Sequence, residues 1–437
     1  MRANVFLLSL MLLLSVLFAC SSDTPENIII VIGDGAGFYQ MQAASSYIYG
    51  ETDSLISQSF PVQLACTTYP ATGHGYDSEM AWSEFDYVMK KCTDSAASGT
   101  ALACGVKTNN GAIGVDQEKN VLINLMEQAE QLGKMTGIVT SVPITHATPA
   151  AFVAHNDSRH NYHEIAREMI LESAVDVIMG AGHPFFDNNG NRLNEPDYQY
   201  LSESLWNTVN SDSADESSPH KWGLVQDRDA FKKLMNGATP ERVLGLAPVA
   251  SSLQVSRDGG EEQKEPFGVP LISTVPTLEE MTRGAINVLD DDPDGFVLMV
   301  EAGAIDWACH GNNGPRMIEE FVQMEETVNA IVDWIESESS WKNTLLVVTA
   351  DHETGYLTGP GSGEDDPVWT PIVNNGKNKM PGMEWHSGSH TNSLVPLQAI
   401  GKGADNFKLV AVKKDSVRGS YLDNTDIGII LKSLATN

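Results

Sequence analysis

Cysteine is scarce in this chain, and no two cysteines form a Cys-x-x-Cys pair, which removes a zinc-ribbon reading. Basic residues are also few. Only 27 Lys and Arg stand against 58 Asp and Glu, leaving a net charge of −31. So acidic a chain lacks the cations that a phosphate backbone needs, which argues against a nucleic-acid partner. A small anionic substrate is not excluded, because bound cations reverse the field locally. There is no Walker loop, and Gly33-Asp34-Gly35 is too short for a dinucleotide fingerprint. No Gly-x-Ser-x-Gly elbow surrounds Ser95, which disfavours an α/β-hydrolase triad. No apolar run reaches the about 20 residues of a membrane helix, and no internal repeat is present.

The N-terminus reads as a targeting segment. Arg2 precedes the apolar run from Val5 to Phe18, and Ala19-Cys20-Ser21-Ser22 follows. This pattern predicts a lipoprotein-type signal over residues 1–19, with Cys20 as the lipidation site. The alternative is an ordinary cleaved signal beside an incidental cysteine. Either way the chain is exported, to the periplasm or to the outer membrane of a bacterium as an anchored lipoprotein. The remaining cysteines, Cys66, Cys92, Cys104 and Cys309, then meet an oxidising compartment, and their three possible connectivities stay open.

With 42% hydrophobic residues the chain has ample material for a core. Asn27–Ile32 is a continuous β-branched run, and 136–142, 296–301 and 344–351 repeat the pattern. Such runs read as strands buried on both faces. Helical periodicity separates them, most clearly over 314–339, where Ile318, Phe321, Met324, Val328, Ile331 and Ile335 form a stripe. Glu319, Glu320, Glu325 and Asp333 oppose it, which predicts an amphipathic surface helix. The expected fold is α/β: a three-layer α/β/α sandwich with a large, mostly parallel central sheet and small insertions. One domain is expected over 27–435, with polar, irregular insertions near 185–270 and 354–389.

Each strand is followed by ligand-type residues: Asp34, then His146 and Thr148, then Glu301 and Asp306, then Asp351 and His352. Four strands delivering acids and imidazoles to one sheet edge place a site where open α/β folds bind ligands. Any one of these alone reads as a turn carboxylate. Asp306 and His310 are spaced i, i+4, so a helix there would set both on one face, as a metal pair or as a surface hydrogen bond. His390 could complete a site from a distant loop, and His386 competes for that role. Oxygen and nitrogen ligands without thiolate suit zinc and magnesium. Thr93-Asp94-Ser95-Ala96 is the candidate nucleophile turn, with Asp94 or Ser95 alternatively a plain N-cap. A serine hydroxyl needs a base or a metal to become a nucleophile. Arg159, in His155-Asn156-Asp157-Ser158-Arg159, is the candidate phosphate clamp. Asp290-x-Asp292-x-Asp294-Gly295 with Glu301 matches the EF-hand spacing, but Pro293 and the strand-like 296–300 argue against a calcium loop.

Taken in order, these residues resemble the alkaline phosphatase family from Asn27 to about residue 400. The markers are Ile32-Gly-Asp-Gly35, Thr93-Asp-Ser-Ala96, Gly105-Val-Lys-Thr108, Asn110-Gly-Ala-Ile-Gly-Val115, His146-Ala-Thr-Pro149, Val300-Glu301, Ile305-Asp306, Thr349-Ala-Asp-His352 and His390-Thr391. The resemblance implies a phosphomonoesterase working through a phosphoserine at Ser95, with two zinc ions and one magnesium ion. Asp306, His310 and His390 then look like ligands of the first zinc. Asp34, Asp351 and His352 look like ligands of the second, joined by Ser95 during turnover. Asp34, Thr148 and Glu301 look like the magnesium site, beside His146. Arg159 matches the substrate-clamping arginine. His146 and Trp307 stand where other members carry aspartate and lysine, which leaves the third metal open. The segment 354–389 is short for the family's crown, so a homodimer built on a large crown is disfavoured, while a homodimer as such stays open.

Related chemistries fit less well. Sulfatases of the superfamily need a Cys/Ser-x-Pro-x-Arg signature, which is missing around Ser95. Diesterase relatives usually carry threonine as nucleophile and lack the clamp arginine. A non-catalytic phospholigand-binding lipoprotein would be expected to have lost Ser95, Arg159 or a zinc ligand, and all are present.

Overall fold

A computed structural model describes residues 24–214, 221–260, 262–363 and 368–435. The predicted signal segment and Cys20 lie outside the described residues.

Eleven strands form one sheet: β1 (Asn27–Gly33), β2 (Val62–Thr67), β3 (Met135–Pro143), β4 (Val177–Ala181), β5 (Gly223–Val225), β6 (Val243–Leu246), β7 (Phe296–Ala302), β8 (Thr344–Thr349), β9 (Val395–Gly401), β10 (Lys413–Asp415) and β11 (Gly419–Asp423). Their spatial order is β10-β11-β2-β9-β8-β1-β7-β3-β4-β6-β5. From β8 to β5 every pairing is parallel, whereas β9 runs antiparallel to both β8 and β2. Every residue of β1, β7 and β8 is buried, as continuous β-branched runs covered on both faces require.

The register does more than stack the core. Ile32 sits opposite Thr349 on one side and Glu301 on the other, and Glu301 sits opposite Thr140. The carboxyl ends of β8, β1 and β7 therefore finish level, with β3 running on beside them to Pro143.

Two expectations change. The helix spans Gly314–Glu338, close to the predicted range, but its acidic face is not a surface: Glu319, Glu320 and Glu325 are buried. Residues 254–260 and 262–270 fold over Glu319 and Glu320, with Arg257 donating to Glu319 at 2.7 Å, while Tyr49 Oη and Ile56 N donate to Glu325. The segment 185–270 is polar in composition, yet it supplies β5 and β6 and buries Trp222 and Phe231. By contrast 354–389 is largely irregular, with one short antiparallel pair, Leu357–Thr358 on Glu384–Trp385, inside it. Cys66, Cys92, Cys104 and Cys309 are free thiols.

Candidate metal and phosphate site

Three carboxylate–imidazole clusters occupy the carboxyl edge of the central strands. Asp306, His352 and His390 form one, Asp34, Asp351 and His352 a second, and Asp34, His146 and Glu301 a third; within each, the ligand atoms lie within 4.8 Å of one another. Asp34 follows β1, Glu301 lies within β7, and Asp351 and His352 follow β8. Asp306 and His310 come from the short helix Ala304–His310, and His390 from the Glu353–Thr354/His390–Thr391 ribbon. Thr148 sits in the turn of helix after β3, its hydroxyl buried without a hydrogen-bond partner.

The imidazoles reveal which way they are wired. His310 Nδ1 faces Gly388 O at 2.8 Å, His390 Nδ1 faces Thr93 O at 2.8 Å, and His352 Nδ1 faces Thr354 Oγ1 at 3.2 Å. Thr354 Oγ1 gives its own proton to Asp306 at 2.5 Å, so its oxygen accepts from His352. All three rings thus carry their proton on Nδ1 and aim an Nε2 lone pair inward. His310 Nε2 and His390 Nε2 stand only 3.0 Å apart. Two lone pairs facing each other at that distance repel unless a cation lies between or beside them. The carboxylates tell the same story, since Asp34 Oδ1, Asp351 Oδ2 and Glu301 Oε1 are buried with no hydrogen-bond donor. Unpaired buried charge of this kind is costly, so these residues fit divalent cations. The donor set of oxygen and nitrogen without thiolate suits zinc and magnesium.

Comparison with known proteins agrees with this geometry. A sequence model described as alkaline phosphatase matches residues 25–428. The chain belongs to the alkaline phosphatase family. It is 32% identical to alkaline phosphatase 4 of Bacillus subtilis (strain 168) over 353 residues, which is 80% of this chain and 66% of that protein. It is 30% identical to the alkaline phosphatase of Escherichia coli (strain K12) over 426 residues, 88% of this chain and 83% of that one. The match thus spans just under two thirds of the Bacillus relative's length. Among solved structures, a cold-active alkaline phosphatase from Shewanella sp. superposes with a TM-score of 0.68 at 24% identity, covering 94% of this chain and all of that one, which shows the fold.

In this alkaline phosphatase chain Ser95 opens the helix Ser95–Cys104, with Asp94 as N-cap accepting from Ala97 N at 3.0 Å. The two sequence readings of the Asp-Ser pair are therefore compatible: Asp94 caps, and Ser95 is left free to point at the clusters. Ser95 Oγ donates to Asp34 Oδ2 at 3.3 Å and lies 3.2 Å from His352 Nε2. Arg159 donates to Asp94 Oδ2 at 3.1 Å and to His146 Nε2 at 3.2 Å, spanning the mouth of the site. His386 turns away, its Nε2 2.7 Å from Thr358 Oγ1 and its ring edge-on to Phe85, so His390 takes the place the two competed for. Glu301 is buried in a strand, so Asp290–Asp294 shares no loop with it.

Charge crowding shapes the titration. Burial, then Asp351, Asp306 and Glu301, holds the Asp34 carboxyl well above the usual range. Burial pushes Glu301 up to about 8, and burial with Asp306 pushes Asp351 up to about 7. Burial and the Arg159 charge take His146 down to about 3, so it meets Arg159 as a neutral acceptor. Burial alone would raise Asp306, but His390, whose Nε2 lies 3.5 Å away, and the His352 and His310 imidazoles draw it below the carboxylate range.

Sequence reasoning did not find Asp94 as partner of Arg159, nor the threonines behind the ligands: Thr140, which donates to Glu301, and Thr354. Asp94 was legible only as a cap. Nothing in its spacing from Arg159 signals an ion pair across 65 residues.

Proposed function

We propose that the protein is an exported alkaline phosphomonoesterase that hydrolyses phosphate monoesters through a phosphoserine at Ser95. The observation that carries the reading is the meeting of Ser95 Oγ, at a helix N-terminus, with inward-facing imidazole lone pairs and donor-less carboxylates, under the Arg159 guanidinium. Asp306, His310 and His390 would hold a first zinc, and Asp34, Asp351 and His352 a second, with Ser95 joining. Asp34, Thr148 and Glu301 would hold magnesium, beside His146. The structural neighbour described as a TAB5 alkaline phosphatase variant with magnesium in its M3 site is in keeping with a third position. When bound, such ions supply Lewis-acid charge that stabilises both the entering and the leaving oxygen of an in-line displacement.

The chain's own residues do the rest. Ser95 Oγ gives up the proton it now directs at Asp34 and attacks phosphorus opposite the departing alkoxide. The free N–H groups at the start of the Ser95 helix face the developing negative charge. Arg159 turns its guanidinium to two non-bridging oxygens while Asp94 keeps it in place. The P–O bond to the alcohol breaks, the alkoxide takes a proton from solvent, and phosphoserine remains. Water then attacks the same phosphorus, a proton passes from it to Ser95 Oγ as the P–Oγ bond breaks, and inorganic phosphate departs. Two inversions leave the configuration at phosphorus retained.

The rest of the reading concerns placement in the cell. Residues 27–435 act as one catalytic domain with insertions near 185–270 and 354–389. Residues 1–19 act as a signal, and Cys20 as a lipid anchor that keeps the enzyme at a bacterial envelope membrane. Among the described residues no helix is long and apolar enough to cross a membrane. A homodimer is compatible with this reading.

The test is hydrolysis of p-nitrophenyl phosphate against bis-p-nitrophenyl phosphate at alkaline pH, before and after chelation and after zinc and magnesium repletion. Monoesterase activity that vanishes on chelation and returns with metal is expected. Activity mainly on the diester would move the enzyme to the diesterase branch, and none on either ester would end the catalytic reading.

A further inference from the structure

The loop that carries Arg159 begins at a histidine outside all three metal clusters. His155 is well buried, with 9% of its side chain exposed. Its Nδ1 lies 2.8 Å from Glu168 Oε1, and its Nε2 lies 2.9 Å from the carbonyl oxygen of Leu122 and 3.5 Å from Glu127 Oε2. The His155 backbone N–H also donates to Glu168 Oε1 at 3.0 Å. Both ring nitrogens therefore face acceptors and neither faces a donor. A neutral imidazole has one N–H and would leave a lone pair against a carbonyl or a carboxylate, so only the doubly protonated ring satisfies the pocket. The wiring is opposite to that of His310, His352 and His390, whose Nε2 atoms are bare.

The next residues tie the loop to the nucleophile side of the site. Asn156 and Ile113 exchange backbone hydrogen bonds at 2.8 and 2.9 Å, and Arg159 N donates to Gly111 O at 2.7 Å. Gly111 N in turn donates to Asp94 Oδ2, the oxygen that holds the Arg159 guanidinium. The packing is close. A Cβ on Gly114, which has φ +59°, would lie 2.4 Å from Ala154 O and 2.8 Å from His155 Cδ2. The loop is thus pinned at its start by His155 and at its end by Arg159 itself.

We propose that His155 is a positioning residue for phosphate binding: an imidazolium, stapled between Glu168 and the Leu122–Glu127 turn, that fixes the loop from which Arg159 reaches the substrate. This rests on the reading of Arg159 as the phosphate clamp. The charged groups facing the ring are Glu168 from the helical turn 168–172 and Glu127 from the helix Leu125–Glu130, with Lys432 of the C-terminal helix acting on Glu127 from beyond. Burial would lower the ring's pKa, but the hydrogen bonds and charges of Glu127 and Glu168 lift it to about 10, so the staple stays charged at the alkaline pH of the reaction.

The experiment is calorimetric titration of metal-replete protein with inorganic phosphate, in a cycle of wild type, His155→Gln, Arg159→Ala and the double variant, with thermal unfolding of each. His155→Gln should weaken phosphate binding about fivefold when Arg159 is present and less than about 1.5-fold when it is absent, the coupling expected of residues acting through one another. Glu168→Gln, which leaves the ring in place, should reproduce part of the loss and serves if His155→Gln does not fold. Equal losses in both Arg159 backgrounds would mean general damage and overturn the proposal. Unchanged affinity in both His155→Gln and Glu168→Gln, with Arg159→Ala still impaired, would overturn it alone. An Arg159→Ala protein that binds phosphate normally would overturn the clamp and the proposal together.

Discussion

Among the described residues, the charge cluster beneath 254–270 and the one at the sheet edge are built on opposite plans. Under the chain at 254–270, Glu319 receives Arg257 at 2.7 Å, lies 3.6 Å from Arg316, and accepts the backbone N–H of Phe267. The two guanidiniums donate onward to the carbonyls of Gln254, Arg257, Asp258, Val269 and Pro270, with Arg316 Nε the one donor left over. At the sheet edge, Asp34, Glu301, Asp306 and Asp351 have no lysine or arginine among them, only Arg159 at the rim. The first cluster gives its carboxylate guanidinium partners of its own and so holds structure together. The second leaves lone pairs aimed at one another, and only ions from outside can balance it. Missing counter-charge in a buried cluster, rather than charge itself, is what marks a binding site here.

Four measurements would break or sharpen that contrast. The largest effect should come from Ser95→Ala, which removes the hydroxyl proposed as nucleophile, the one that meets Asp34 and His352. Monoesterase turnover should fall by about 10³-fold or more, while zinc content by elemental analysis stays near that of wild type. Retained turnover would mean that another group attacks phosphorus.

Glu319→Ala addresses the self-balanced cluster. Leaving Arg257 and Arg316 buried without their carboxylate should cost about 3–5 kcal/mol of stability in denaturant unfolding. Activity per folded, metal-loaded molecule should stay within about twofold. A loss of turnover larger than the loss of folded protein would tie this cluster to the site.

Chelation should do the reverse. Removing an ion present at about 100 times its dissociation constant should cost about 3 kcal/mol per site, read as a lower Tm. In Asp306→Ala the chelator response should shrink, and in Glu319→Ala it should persist in full. A wild-type Tm indifferent to chelation would show that the sheet-edge cluster tolerates its own charge.

The smallest effect per step is that of pH. The His155 imidazolium has a folded pKa of about 10, above its ordinary value of 6.5. Between those values the folded state binds more protons than the unfolded chain, so its contribution is complete below pH 6.5 and declines as pH rises toward 10. The slope is at most about 1.4 kcal/mol per pH unit. Urea unfolding across that window should show the decline in wild type and a flatter profile in His155→Gln. Identical profiles would mean that the ring titrates in its ordinary range.

Much of this was legible from local pattern. The runs at 27, 136, 296 and 344 announce doubly covered strands, and each is followed by an acid or imidazole, so the sheet edge and seven of its polar residues could be named in advance. The i, i+4 pair Asp306 and His310 is the same kind of signal, and the helix Ala304–His310 sets the two 3.3 Å apart. Less came through where partners lie far apart in sequence. Glu319 and Glu320 read as a solvated face because nothing in their own helix shows that 254–270 will cover them with Arg257. His386 and His390 are equivalent by composition, and only the ribbon at 353–354 and 390–391 turns one of them inward. His155 looks like any loop histidine until the Leu122 carbonyl and Glu168 arrive on its two nitrogens.

By itself the sequence determined the kinds of element, their order, and the chemistry carried at the end of each strand, because backbone propensity and hydrophobic period act over a few residues. Tertiary structure alone decided which charges would be matched and which left open. It set the level ends of β8, β1 and β7, turned three Nε2 lone pairs into the site, put Arg159 against Asp94, and buried His155 between two acceptors. Those outcomes depend on distances between segments 13 to 316 residues apart, and such distances exist only once the sheet has closed its register.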